Sequence, residues 1–305
     1  MLLNSKNHIF KLLENSAAYV WFPNNIALFR KAIYCFILLF TCLQFPYLQN
    51  LYGPNSLLPI HFYDGNKGLQ LLNLLSHVKF APYYLFFVSG LLASCLLAFF
   101  VKQQQILALL VYFFYANLYH RSIVIQNGGG DLLHIQLLYL IFMNENAEEI
   151  ASSNRRIVTT ALSNFAFTAA RLQVIIVYLV SAIYKLKGSQ WISGDALQIV
   201  LLSTTYGVNF LTQALVNFPV VFKIITWCVL LFQLLFPILV WIRKVKTGLF
   251  IFGVSMHLAI VFWMRIPDFG ILMICMYLLF CTDEWCNVQL KRFNFFNKLV
   301  YSSTR

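Results

Sequence analysis

Eight apolar runs leave this chain few ways to fold. They lie near 26–48, 80–101, 105–124, 131–144, 164–187, 219–242, 247–264 and 269–282. A helix needs about 20 apolar residues to cross the hydrocarbon core of a bilayer. In that medium the backbone must satisfy its own hydrogen bonds, which a helix does within one segment. The sequence is 60% hydrophobic and only 10% charged, where an ordinary soluble domain carries about 25% charged residues. The expected fold class is therefore all-α: a polytopic helical membrane bundle of about eight transmembrane helices, with interfacial helices at its edges. The runs 131–144 and 269–282 are short, and the last two runs also fit a helix pair that only partly crosses.

A net charge of +12 would suggest nucleic acid in a soluble protein. Here lysines and arginines between the apolar runs explain it, so the lipid bilayer and no nucleic acid is the expected partner. Cytoplasmic loops carry an excess of lysine and arginine. With both termini in the cytoplasm, 14 of the 22 cations fall inside, Arg30 and the Arg243–Lys246 cluster among them, and seven fall outside, including Arg121, Lys185, Lys187 and Arg265. Residues 1–22 read as an interfacial amphipathic helix, interrupted by Lys6, Lys11 and Glu14, and not as a cleavable signal. Residues 23–285 read as the transmembrane domain and 286–305 as a basic cytoplasmic tail. The segment 195–217 is amphipathic and fits either a lid on the outer surface or a partial span.

Seven cysteines are present, none in a C-x-x-C pair and most inside apolar runs, which reads as packed free thiols. Metal-ligand spacings, the nucleophile elbow and the phosphate-binding loops are absent, so no metal is expected. The run Gly128–Gly130 before Asp131 is no phosphate loop, because no strand precedes it and no Lys-Ser/Thr follows.

The stretch Gln173–Leu197 carries the most chemistry. Its apolar run closes on Tyr184-Lys185-Leu186-Lys187-Gly188, followed by Trp191 and Gly194-Asp195. A lysine closing a long apolar helix has two readings. It snorkels to the headgroups beside an interfacial Trp191, or it is a desolvated amine able to act as a base. Other polar groups end helices at the same expected depth: Arg121, Asp131, His134, His257 and Arg265. Each has a plain structural reading. Asp131 suits a helix cap, the histidines suit interhelical hydrogen bonds, and Arg121 and Arg265 suit headgroup anchors. Taken together they predict one outward-facing pocket, since ionisable groups within a membrane mark functional sites. Arg171, inside the fifth run, is read as snorkelling inward or pairing with a carboxylate.

Tyr-Lys-Leu, a short polar step, Trp, then Gly-Asp-Ala-Leu resembles the lysine segment of the vitamin K-dependent γ-carboxylase superfamily, which includes short bacterial HTTM-domain proteins of the SdpB-like form. Ala27-Leu28-Phe29-Arg30 with Tyr52-Gly53-Pro54, the run Asn127–Asp131, and Phe236-Pro237 through His257 to Phe269 are similar to the same domain. The likeness covers about residues 20–285. It implies that Lys185 matches the catalytic lysine; His134, His257 and Asp131 are the further catalytic candidates that shared depth suggests, and Tyr184, Trp191, Arg121 and Arg265 the candidates for binding a quinone or hydroquinone cofactor. The histidine that the carboxylase carries near the head of the helix matching 127–143 falls here in the glycine run.

Three functions follow from the resemblance. The first is modification or maturation of an exported peptide or protein at the outer face of a bacterial inner (cytoplasmic) membrane. The second is a quinone-linked oxidoreductase or carboxylase-like enzyme acting on a small molecule or lipid. The third is a non-catalytic subunit bound to other membrane proteins of a secretion complex. Whether the protein is an enzyme stays open at this level.

Overall fold

A computed structural model describes residues 19–58, 72–101, 104–150, 152–203 and 218–302. Most of the expected N-terminal interfacial helix and most of the segment 195–217 lie outside the described residues. Among the described residues the regular structure is helical throughout, and a helix stands at each of the eight apolar runs.

The elements are α1 (Pro23–Leu43), α2 (Leu48–Tyr52), α3 (Tyr84–Leu97), α4 (Gln104–Arg121), α5 (Gly128–Phe142), α6 (Ser153–Leu186), α7 (Ser189–Ser193), α8 (Ala196–Leu202), α9 (Pro219–Leu239), α10 (Arg243–Trp263), α11 (Pro267–Met276) and α12 (Asp283–Ser302). Proline opens α1, α9 and α11, where its missing N–H costs nothing and its fixed φ already suits the helix.

Among the described residues four helices, α1, α6, α9 and α10, are long and apolar enough to cross a membrane, or five if 267–280 and 283–292 form one broken span. Helices α3 and α5 have 14 and 15 residues, which at 1.5 Å per residue falls short of a core about 30 Å thick. Helix α4 is longer, but Gln104, Gln105, Asn117, His120 and Arg121 dilute it. A helix stands at each apolar run, and length and composition alone do not make each of them a complete span.

The chain divides into two compact units, Met1–Ala170 with Cys281–Arg305, and Arg171–Phe280. In the first unit α3 packs on α4, α4 on α5, and α1 on α3 and α12. Polar side chains tie this packing together. Asp283 accepts from the Asn24 and Asn25 backbone N–H groups at 2.8 and 3.1 Å, so a carboxylate from the far end of the chain caps α1. Arg30, counted in the sequence among the inner-side cations, is 2% exposed. Its guanidinium donates to the carbonyls of Leu140 and Met143 at 3.2 and 2.6 Å and to Glu145 Oε2 at 3.2 Å. It thereby satisfies carbonyls that the end of α5 leaves without helical partners. Arg121, 1% exposed, donates to the carbonyls of Gly53 and Leu58 at 2.8 and 3.1 Å and fixes the loop after α2.

In the second unit α10 packs on α11 and α9, and α7 and α8 pack on α9. Close approach depends on two glycines. A Cβ on Gly253 would collide with the Tyr277 hydroxyl, and one on Gly270 would lie 2.7 Å from the His257 carbonyl. Cations again meet carbonyls at a helix end: Arg171 Nε donates to Leu279 O at 2.7 Å and Lys246 Nζ to Phe280 O at 3.1 Å. The Arg171 guanidinium also lies 5.9 Å from the ring centroids of Trp241 and Phe280. Arg171 thus spends its donor on a helix end, a use the sequence reading had not foreseen.

Candidate functional site

The second unit encloses a cavity of about 480 Å³, within the range of about 300–1,000 Å³ usual for small-molecule sites. Its walls come from α6, α7, α8, α9, α10 and α11, and they are mainly apolar. Lys185, Trp191 and His257 line it, and Tyr178, Ser181 and Gln233 join them.

Local geometry explains why Lys185 faces this space. Helix α6 ends at Leu186, and a turn follows in which Gly188 N donates to Lys185 O at 3.0 Å and Trp191 N to Gly188 O at 3.0 Å. The turn folds the Trp191 indole back over the lysine, with Nζ 5.0 Å from the ring centroid. One turn earlier on the same helix face, Ser181 Oγ accepts from Nζ at 2.5 Å. Lys185 is half-buried, whereas Lys187 is exposed and lies over the Tyr184 ring at 5.1 Å. Tyr184 itself is 68% exposed. The two neighbouring lysines therefore have different surroundings, which their adjacency in sequence conceals.

Deeper in the cavity Tyr178 Oη lies 2.7 Å from His257 Nε2 and 2.7 Å from Tyr277 Oη. All three side chains are buried. A hydroxyl carries one proton, so Tyr178 donates toward one neighbour and accepts from the other. Switching both bonds moves a proton along the row, and such a chain can hold or pass one. The second ring nitrogen of His257 and the Gln233 Oε1 are buried without a hydrogen-bond partner among the described residues. Buried polar atoms are nearly always paired, so these two keep unused hydrogen-bonding capacity at residues that line the cavity.

The outer segment forms one wall of this cavity. Leu197, Val200 and Leu201 of α8 line it, and Leu197 N donates to Thr226 Oγ1 at 3.3 Å. Asp195 pairs with Lys223 at 3.3 Å. The Ser193 hydroxyl, and after it the Lys223 ammonium, hold the Asp195 carboxyl below the ordinary aspartate range. Trp227 Nε1 donates to Ile192 O at 3.1 Å. Arg265 is exposed at φ 57, between Met264 and Ile266, which both line the cavity.

The remaining candidates belong to the first unit. Asp131 does not cap α5: Asn127 does, its Oδ1 accepting from Gly129 N and Gly130 N at 2.8 and 3.2 Å. Asp131 lies in the first turn instead, where it accepts a short hydrogen bond from the Tyr119 hydroxyl. His134 Nε2 is 3.2 Å from Tyr112 Oη, and its ring lies among Tyr119 and His120 at centroid distances of 5.1 and 5.4 Å. Tyr112, Tyr115 and Tyr119 share one face of α4, and Asp131 and His134 meet it from α5. The sequence grouped these residues with Lys185 by depth alone; the cavity's walls all come from the second unit.

Tyr178, Ser181, Gln233 and Tyr277 went unnoticed in the sequence. A signal existed for the first two, which fall on the Lys185 face of α6 at helical spacing. Gln233 is a polar residue within the 21-residue helix α9. Tyr277 gave no signal, because only the packing against Gly253 brings it to Tyr178.

Spans of this length and apolarity, with ionisable side chains turned into an apolar internal cavity, define a polytopic α-helical membrane protein. The chain belongs to the HTTM domain family, whose family model matches residues 23–285. No curated protein and no solved structure matches it.

Proposed function

We propose that this HTTM protein acts in the modification or maturation of an exported peptide or protein at the outer face of a bacterial inner membrane, and that the cavity of the second unit is its working site. The observation that carries this reading is Lys185: a half-buried amine on the wall of an apolar cavity, held by one neutral hydroxyl and one indole ring. With no carboxylate fixing its charge among the described residues, Nζ is free to exchange a proton with a bound group.

A quinone or hydroquinone fits the residues present. The walls suit an apolar ring and chain, and His257 Nδ1 and Gln233 Oε1 offer unpartnered polar atoms. Trp191, Gln233 and His257 would hold it, and when bound it would supply redox equivalents and an ionisable hydroxyl. The chain's own part is to exclude water with the α8 wall, to hold a proton at Lys185 Nζ, and to retain one along Tyr178, His257 and Tyr277. A second reading, quinone-linked oxidation of a small molecule or lipid, is favoured by the same apolar walls.

The test is complementation of a deletion strain at matched protein levels. Lys185→Arg is expected to fail, since a guanidinium does not give up its proton in a protein. Lys187→Arg is expected to complement. Full complementation by Lys185→Arg would sink the base role and leave an interface anchor. Loss of a mature secreted peptide in the deletion strain supports the first reading over the second.

A further inference from the structure

The charges around the cavity do not cancel. Among its lining residues Lys185 is the only charged side chain. Its Nζ has one hydrogen bond, to Ser181, and one ring contact, to Trp191. The nearest aspartate in sequence, Asp195, is committed to Lys223 at 3.3 Å. A cation drawn out of water without a counter-ion is unfavourable, and the surrounding wall of Phe222, Val229, Met256 and Met273 supplies none. A ligand that carries one negative charge would supply it. Tyr178, which holds His257, is two turns of α6 from Lys185, roughly 10 Å along the helix. The cavity therefore has a cation at one level and buried, unpartnered hydrogen-bonding atoms, His257 Nδ1 and Gln233 Oε1, at another.

We infer that the cavity takes a single-chain amphiphile with a carboxylate head, the head paired with Lys185 Nζ and the chain laid along the apolar walls. This rests on the cavity being the ligand site, and not on Lys185 acting as a base. A carboxylate fits better than a phosphate. One ammonium balances one negative charge and has two donors left after Ser181, whereas phosphate recruits several donors, commonly arginines or the N–H groups opening a helix. A neutral quinone alone leaves the ammonium unpaired, so an acid would compete with it for the protonated form of the site.

The experiment uses the full chain in phosphatidylcholine nanodiscs and radiolabelled dodecanoate, with methyl dodecanoate and dodecyl phosphate as competitors. Dodecanoate is expected to bind saturably and on the order of tenfold more tightly than its ester, the scale of one charge-assisted contact. Lys185→Gln should lower the acid to the level of the ester and leave the ester unchanged, while Lys187→Gln should keep the preference. Lys185→Arg should also keep it, because a guanidinium supplies the charge. Equal binding of acid and ester, a preference that survives Lys185→Gln, or displacement by dodecyl phosphate more readily than by dodecanoate would overturn the inference. An acid preference retained in Lys185→Arg while that variant complements removes the base role alone. An absent acid preference while Lys185→Arg fails to complement removes the carboxylate ligand alone.

Discussion

Arg30 in the first unit and Lys185 in the second are both cations carried by apolar helices, and they have been treated in opposite ways. Arg30 is 2% exposed and meets two backbone carbonyls and a carboxylate. Lys185 is half-buried and meets one serine hydroxyl and one indole face. A cation on which several buried acceptors depend is part of the scaffold, because removing it strands them. One that meets a single neutral hydroxyl and a ring contributes little to the scaffold and keeps its bonding capacity for something else. Arg121 and Arg171 follow the Arg30 pattern, each donating to loop or helix-end carbonyls.

The sharpest way to break this comparison is to make the same substitution at both places. Arg30→Met leaves Glu145 and the carbonyls of Leu140 and Met143 without their donor, and should cost about 3–5 kcal/mol, the usual penalty for stripping one partner from a buried ion pair. Thermal unfolding of the purified protein in detergent measures it, and Arg30→Met with Glu145→Gln should recover part of the loss. Lys185→Met should stay within about 1 kcal/mol, since no buried acceptor of comparable charge is stranded. Equal losses at the two sites would show that Lys185 is scaffold after all.

A smaller effect is expected at the hydroxyl that joins two buried partners. Tyr178→Phe removes the atom 2.7 Å from both His257 Nε2 and Tyr277 Oη. It should destabilise by about 1–3 kcal/mol, the cost of leaving a buried polar group unmade. His257→Phe with Tyr178→Phe should cost less than the sum of the two single changes, which a double-mutant cycle reads directly.

The smallest effect belongs to the exposed pair of Asp195 and Lys223, whose side chains are 41% and 40% exposed. Exposed ion pairs contribute little and are screened by salt. The sign with pH is nevertheless fixed. The folded carboxyl titrates below its unfolded value, so its contribution is present above the ordinary aspartate range and fades as pH falls through the folded pKa. Unfolding midpoints of the native protein and Asp195→Asn should therefore converge below that range, and salt should shrink their separation at neutral pH. A separation that widens on acidification would contradict this assignment.

Apolar runs, prolines and glycines made the helix positions legible, because hydrophobic length is a one-dimensional property that local sequence carries. They did not fix how many of these helices are complete spans, since α3 and α5 are short and α4 carries polar residues. Lys185, Trp191 and His257 were legible as candidates because charge or an indole at the end of an apolar run stands out. Asp131 misled for the opposite reason: two polar residues, Asn127 and Asp131, flank the same glycine run, and only the backbone trace shows that Asn127 caps the helix.

By itself the sequence determined that this protein is helical, membrane-embedded and of the HTTM family, and that Lys185 closes an apolar helix. Tertiary structure alone decided that Arg30 and Arg121 are buried with their terminal guanidinium nitrogens on backbone carbonyls, that Tyr277 reaches Tyr178 through the space a glycine leaves, and that Lys185 shares a cavity with His257. Periodicity records which face of a helix is apolar. Which polar atoms find partners depends on contacts between residues more than a hundred positions apart, as between Arg30 and Leu140, and no local pattern encodes those.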